Sequence, residues 1–90
     1  MNKEEVLAKA GKLIGGDREE IYGSSLVNHE RIAVGWRVIL GKQDITPGQV
    51  ATCMAWLKIA RLVESPAHED SWVDLVGYAA IAGEIETQNR

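Results

Sequence analysis

Apolar residues recur along the chain at the three- and four-residue spacing of amphipathic helices, and no segment alternates as a half-buried strand does. The pattern predicts an all-α fold, a compact bundle of about four helices joined by short connections within a single domain. The predicted helices cover residues 3–14, 26–40, 47–64 and 71–84, with one extra turn within residues 17–25, and residues 85–90 are expected to form a frayed tail.

Capping residues mark where these helices begin and end. Asn2 is a suitable N-cap for the first helix, and Thr46 forms a capping box with Gln49 at the start of the third. Gly41 is expected to end the second helix, and Pro66 to stop the third. The start at Thr46 is the clearest of these boundaries.

The third predicted helix is apolar almost all round, in the segments CMAWL at 53–57 and IA at 59–60. A helix of that kind lies at the centre of a bundle, and Cys53 is expected to be a small core residue there. The whole chain is 46% hydrophobic over only 90 residues. Because so short a chain buries only about 60–65% of its unfolded surface, either the core is dense or part of the apolar surface faces another copy. The composition leaves both possibilities, a dense core and a homo-oligomer, open.

Charge and the remaining composition exclude several classes of partner. Ten basic residues against thirteen acidic ones give a formal charge of −3, which is not the polycationic surface that duplex nucleic acid requires. No apolar run approaches the roughly 20 residues of a membrane span, and no signal peptide is visible, so no membrane partner is expected. A single cysteine excludes an internal disulfide and suits a reducing compartment, which predicts a cytoplasmic location.

Four charged residues interrupt the apolar helices and are the first candidates for a functional site. Lys58 and Arg61 share a face of the third helix, where they either extend to solvent along their methylene stems or bind the phosphate groups of a ligand. Asp70 and Asp74 share a face of the fourth helix and are candidate ligands of Mg²⁺. In the alternative interpretation Asp70 caps that helix, and Asp74 pairs with a cation of the third. Both interpretations are compatible with a pocket for a metal-bridged phosphate.

The segment between the first two helices supplies further candidates. Arg18 is a third cation for phosphate binding, and Tyr22 either stacks on a base or covers the core. Asn28 and His29 lie at the start of the second helix, where free N–H groups favour anions, and they are candidates for base or sugar binding. Alternatively, Asn28 is a helix cap and His29 a surface or supporting residue. No P-loop, dinucleotide-binding glycine pattern or zinc signature occurs.

Four segments follow one another in a specific order: GGDREEIYG, LVNHERIAVGW, ITPGQVATCMAWLKIARL and DSWVDLVGYAAIAGE. In this order the chain resembles a family of small phage and prophage proteins of unassigned function, over residues 10–84. More distantly it is similar to the all-α nucleotide pyrophosphohydrolases of the MazG kind and to phage nucleotide-modification-associated domains. The pyrophosphohydrolase resemblance implies a helical, oligomeric fold and Mg²⁺-dependent cleavage of a nucleoside triphosphate to the monophosphate and pyrophosphate.

The signature of those pyrophosphohydrolases is an ExxE motif on one helix and an ExxD motif on the next. Asp74 matches the final Asp and the LVGYAA run matches its helix, but Asp70 precedes Asp74 by four residues rather than three. No ExxE pair stands upstream, and the corresponding helix carries Lys58 and Arg61 instead. Without the ExxE pair, the carboxylates of a full metal cluster are not all present. Phosphate binding is still expected, because the residues in their place are cations.

Two kinds of function follow as hypotheses. The first is a phage-type protein that binds a nucleotide or another phosphate-bearing small molecule and, with Mg²⁺, hydrolyses a triphosphate by a metal-activated water. The alternative is a non-catalytic counter-defence protein that sequesters a nucleotide signal, or binds and blocks a host protein. The two predict different fates for a bound nucleotide, cleaved in one case and intact in the other.

Overall fold

The computed structural model describes residues 1–17, 20–21 and 23–88. Within them a π-helical turn, Leu13–Asp17, continues the first of the α-helices. The α-helices are α1 (Lys3–Lys12), α2 (Ser25–Leu40), α3 (Pro47–Glu64) and α4 (Glu69–Gln88). The described residues contain no strand, so the predicted all-α bundle of about four helices with short connections is confirmed.

The helix caps have the predicted chemistry. The Asn2 side chain accepts the backbone N–H of Glu5 at 2.8 Å, and the Glu5 carboxylate accepts the Asn2 backbone N–H at 3.4 Å. Thr46 and Gln49 make the same reciprocal pair at 3.2 and 3.0 Å. Gly41 ends α2 with φ of 66°, a left-handed backbone that favours glycine. Each device satisfies backbone groups that the ends of a helix leave unpaired.

Helix α4 is longer at both ends than the sequence predicts. It begins at Glu69, so Asp70 lies inside the first helical turn and does not cap the helix. It ends at Gln88, because Ile85 is buried with Ala51 and Ile81 in the core cluster. The tail expected over residues 85–90 is therefore helical as far as Gln88.

The long helices α3 and α4 form the main packing unit and run antiparallel. Ala51, near the start of α3, packs against Ile81 and Ile85, near the end of α4. Helix α1 instead runs parallel to α4, since the amino group of Met1 lies 3.4 Å from a carboxylate oxygen of Glu69 at the start of α4. This parallel arrangement brings the end of α1, with Leu13 and Ile14 after it, alongside residues 73–78 of α4.

The side of α3 that faces away from the bundle is exposed, although the sequence predicts a helix buried all round. Trp56 is 70% exposed and Val63 is 82% exposed. Cys53 is also exposed, so its predicted place in the core is wrong. Helix α4 covers only the opposite side of α3, which carries Val50 and Leu62. Across the described chain, no helix has the length and apolar character needed to cross a membrane.

Candidate functional site

An open cleft of about 420 Å³ lies where the end of α1 meets the first turns of α4. Two lysines, two aspartates and two apolar side chains line it, namely Lys9, Lys12, Leu13, Asp70, Val73 and Asp74. The cleft is charged because the long lysine side chains from the last turn of α1 and the carboxylates of Asp70 and Asp74, in the first two turns of α4, line the same space. The cleft is the candidate functional site.

The two lysines of the cleft are exposed and make no ion pair with any described residue. Lys9 and Lys12 lie three residues apart in the last turn of α1, where cations are stabilised by the negative end of the helix dipole. On the other wall, Asp70 is exposed in the first turn of α4, where a carboxylate is stabilised by the positive end. The helix dipoles thus stabilise the charged side chains of both walls, and the two lysines form no ion pair with Asp70.

One of the two carboxylates of the cleft is held in an ion pair. The Nζ atom of Lys58 on α3 lies 2.9 Å from Oδ2 of Asp74 on α4, and their side chains are only 12% and 20% exposed. The pairing of Asp74 with a cation of the third helix, an alternative in the sequence analysis, therefore occurs. Since Lys58 compensates Asp74, the cleft retains two uncompensated cations and one uncompensated carboxylate, Asp70.

Asp70 and Asp74 do share one face of α4, as their spacing predicts, and both line the cleft. Magnesium takes oxygen ligands, often one or two carboxylates completed by water and a substrate phosphate. Asp74 is held by an ammonium group, and the described residues include no cluster of three histidine, cysteine, aspartate or glutamate side chains suited to a metal. With two lysines and one aspartate that have no ion-pair partner among the described residues, the charged side chains of the cleft suit an anion better than a cation. The Mg²⁺ site stays a prediction.

His29 lies in the interior rather than at the surface. It is 3% exposed, and its Nδ1 atom is 2.7 Å from the carbonyl oxygen of Ser25, to which the protonated nitrogen donates. Its Nε2 atom has no hydrogen-bond partner among the described residues. The ring meets that of Tyr78 edge-on, with centroids 6.2 Å apart, and Tyr78 follows Asp74 by one helical turn. His29 thus packs in the interior against Tyr78 and does not line the cleft.

The other predicted site residues are dispersed. Arg61 is exposed near the end of α3 and does not line the cleft. Asn28 is half-buried in the first turn of α2, and the cap of that helix is Ser24, so the capping alternative for Asn28 is wrong. Arg18 and Tyr22 lie outside the described residues. The functional roles assigned to all four stay predictions.

Sequence reasoning missed the two lysines of the cleft. Lys9 and Lys12 have the three-residue spacing that marked Lys58 and Arg61, so the signal was present. They stand in an ordinary amphipathic helix, in which surface lysines are common, and only the packing of α1 on α4 shows that they line a cleft with Asp70 and Asp74.

Comparison with known proteins identifies one family and two phage relatives. The sequence model of a domain of unknown function, DUF6378, matches residues 5–86. The chain is 40% identical over 81 residues to the Gene 55 protein of Mycobacterium phage L5, covering 90% of this chain and 52% of that protein. It is 37% identical over 82 residues to the Gene 55 protein of Mycobacterium phage D29, covering 91% and 54%. The chain thus spans about half the length of these relatives, and no solved structure matches it.

Proposed function

The chain belongs to the family of the domain of unknown function DUF6378, and we propose that it binds nucleotide phosphates in the cleft between α1 and α4. The observation that carries the proposal is the pair Lys9 and Lys12, two cations without partners among the described residues at the edge of a cleft of about 420 Å³. Small-molecule sites have volumes of about 300–1,000 Å³. The cleft therefore has the room and the charge for a phosphorylated ligand.

The balance of charge favours an anionic ligand over a metal ion. Lys58 compensates Asp74, which leaves Lys9 and Lys12 against the single carboxylate of Asp70. Lysine binds phosphate as a point charge, and two lysines one turn apart can contact neighbouring phosphates of a di- or triphosphate. Asp70 opposes the binding of a bare phosphate unless a cation accompanies it.

Binding without turnover is the form of this function that the residues support best. Asp74, the candidate for catalytic metal binding, is already paired with Lys58. Both relatives are phage proteins, and a phage protein that withholds a nucleotide from host enzymes needs only to bind it. Mg²⁺-dependent pyrophosphohydrolysis is the competing form, and it requires Asp70 to hold the metal that bridges the phosphates.

Thermal unfolding of the protein against a panel of linear and cyclic nucleotides, with and without Mg²⁺, tests the proposal. Because a ligand of the native state adds RT ln(1 + [L]/Kd), a nucleotide at a hundred times its Kd should stabilise the protein by about 2.7 kcal/mol. Mass spectrometry of the ligand then separates the two forms. Intact nucleotide supports sequestration, and a monophosphate product formed only with Mg²⁺ supports hydrolysis.

A charge-matched pair of double variants locates the site. Lys9→Ala with Lys12→Ala should abolish the thermal shift, because it removes both cations of the cleft. Lys3→Ala with Lys42→Ala removes the same charge from exposed positions outside the cleft and should retain the shift. If both double variants lose the shift equally, binding follows overall charge and not this cleft. If wild type shows no shift with any nucleotide, the proposed function is wrong.

A further inference from the structure

The outer face of α3 carries a strip of uncharged side chains whose middle, around Trp56, the other described helices leave exposed. The members of the strip follow one another at three- and four-residue spacing along the side opposite the core: Gln49, Thr52, Cys53, Trp56, Ile59, Ala60 and Val63. At the start of the strip, Gln49, Thr52 and Cys53 border a cleft that Glu30 of α2 and Glu86 of α4 also line. The charged residues of the helix lie elsewhere on its circumference, since Lys58 turns inward to Asp74, and Arg61 and Glu64 lie beside the strip. Depletion of charge around a large aromatic residue is typical of the centre of a protein interface.

The chain exposes more surface than a compact monomer of its mass. Its accessible surface is 6253 Å² for a mass of 9.9 kDa, whereas a compact monomer of that mass is expected to expose about 5,200 Å². The excess is about 1,000 Å², and each subunit of a standard protein–protein complex buries about 800 Å². The excess belongs to the whole chain, so the open cleft between α1 and α4 contributes to it together with the exposed strip of α3.

We propose that the outer face of α3 is the two-fold interface between two copies of this chain. A two-fold axis sets the same surface of both copies together, so the uncharged middle of the strip, from Trp56 to Val63, places no like charges against one another. The shape of the strip is also self-complementary, because the small side chains of Thr52 and Ala60 lie one turn before and one turn after Trp56. A large side chain beside shallow positions fits an identical neighbour in the manner of a knob and a hole.

Sedimentation velocity over a wide range of protein concentration tests this interface. Wild type should sediment as a dimer that dissociates on dilution. Trp56→Glu should be monomeric at every concentration, because it places a charge in the centre of each face, and Val63→Lys should weaken the dimer at the edge. Leu7→Glu is the matched control, since Leu7 is 60% exposed on α1, which packs chiefly against α4, and this variant should still dimerise.

The native thiol supplies a second readout that does not depend on substitutions. Cys53 is exposed in the isolated chain and lies on the strip, so its reaction with a thiol reagent should slow as the protein concentration rises. Circular dichroism of each variant shows whether the exposed substitutions leave the fold intact. A wild type that stays monomeric at all concentrations overturns the proposal. A dimer that persists in both Trp56→Glu and Val63→Lys, with unchanged Cys53 reactivity, overturns it as well.

Discussion

The pair formed by Lys58 and Asp74 is the closest ion pair among the described residues and joins α3 to α4. Removing one partner of a mostly buried pair leaves the other charge without compensation. We expect Lys58→Met to lower the free energy of unfolding by about 2 kcal/mol, and Lys58→Met with Asp74→Leu to recover most of that loss. Urea unfolding of the two single variants and the double variant measures the coupling. A double variant that loses the sum of both single effects would show that the two charges do not interact.

Asp70 distinguishes the two forms of the proposed function. If the ligand is held by lysines alone, Asp70→Asn removes the one opposing charge and should tighten nucleotide binding by about threefold without Mg²⁺. If Asp70 holds a metal that bridges the phosphates, the same variant should weaken binding in the presence of Mg²⁺. Isothermal titration calorimetry with and without Mg²⁺ gives both numbers. Glu4→Gln, an exposed carboxylate on the first turn of α1, is the control and should change neither.

At the scale of elements, replacing a glycine by alanine should change the stability of the protein in opposite directions at two positions, one inside α2 and one at its end. Gly41 has φ of 66°, so Gly41→Ala forces an L side chain into a left-handed backbone and should cost about 1 kcal/mol. Gly35 lies within the helix, and a Cβ added there meets nothing within 4 Å. Gly35→Ala should therefore stabilise the protein by about 0.5–1 kcal/mol. Thermal unfolding of both variants checks the pair, and equal shifts would contradict the assigned end of α2.

The extension of α4 beyond the predicted end has its own test. Ile85 is 8% exposed and packs in the core cluster, so Ile85→Ala should cost about 2 kcal/mol or more. Val38→Ala removes methyl groups from a residue that is 78% exposed and should change stability by less than about 0.5 kcal/mol. A negligible effect of Ile85→Ala on urea unfolding would mean that the end of α4 is frayed.

Elements whose ends are set by local chemistry were predictable from the sequence. The caps at Asn2 and Thr46 and the stop at Gly41 depend on residues within three or four positions. The extent of α4 was not predictable, because it depends on the contact of Ile85 with Ala51, more than thirty residues away.

The same limit applied to the candidate site. The spacing of Asp70 and Asp74 places both on one helical face, and the structure confirms that placement. Spacing within one helix does not show which neighbour a face meets, so Lys9 and Lys12 could not be assigned to the cleft. Hydrophobicity also does not show which side of α3 packs inside the chain and which side stays exposed. Trp56, a large apolar residue, lies on the exposed side.

The molecule as a whole is more open than a compact monomer of its length. Its radius of gyration is 13.7 Å, whereas about 12 Å is expected for a folded chain of this size. Part of that openness is the cleft between α1 and α4, and part is the uncovered side of α3. The two surfaces lie on different helices, so dimerisation through α3 leaves the cleft accessible.

At this scale, charge determines how binding responds to salt. The two lysines of the cleft are exposed, so their attraction for phosphate is screened by mobile ions. We expect nucleotide affinity to fall steadily as the concentration of sodium chloride rises, and the Lys9→Ala with Lys12→Ala variant to show a much flatter dependence. Titration calorimetry at several salt concentrations measures both slopes. An affinity independent of salt would contradict a site built on these two cations.

The most direct test of the phosphate site is an NMR titration of the ¹⁵N-labelled protein with inorganic tripolyphosphate, which carries the charge of a nucleotide triphosphate without its base. If the cleft binds phosphate, the amide signals that move with saturable dependence will be those of residues 9–13 and 70–74. The variant with Lys9→Ala and Lys12→Ala will show none of these shifts. Saturable shifts confined to other surfaces, or no saturable shifts at all, would contradict the assignment of this cleft as the functional site.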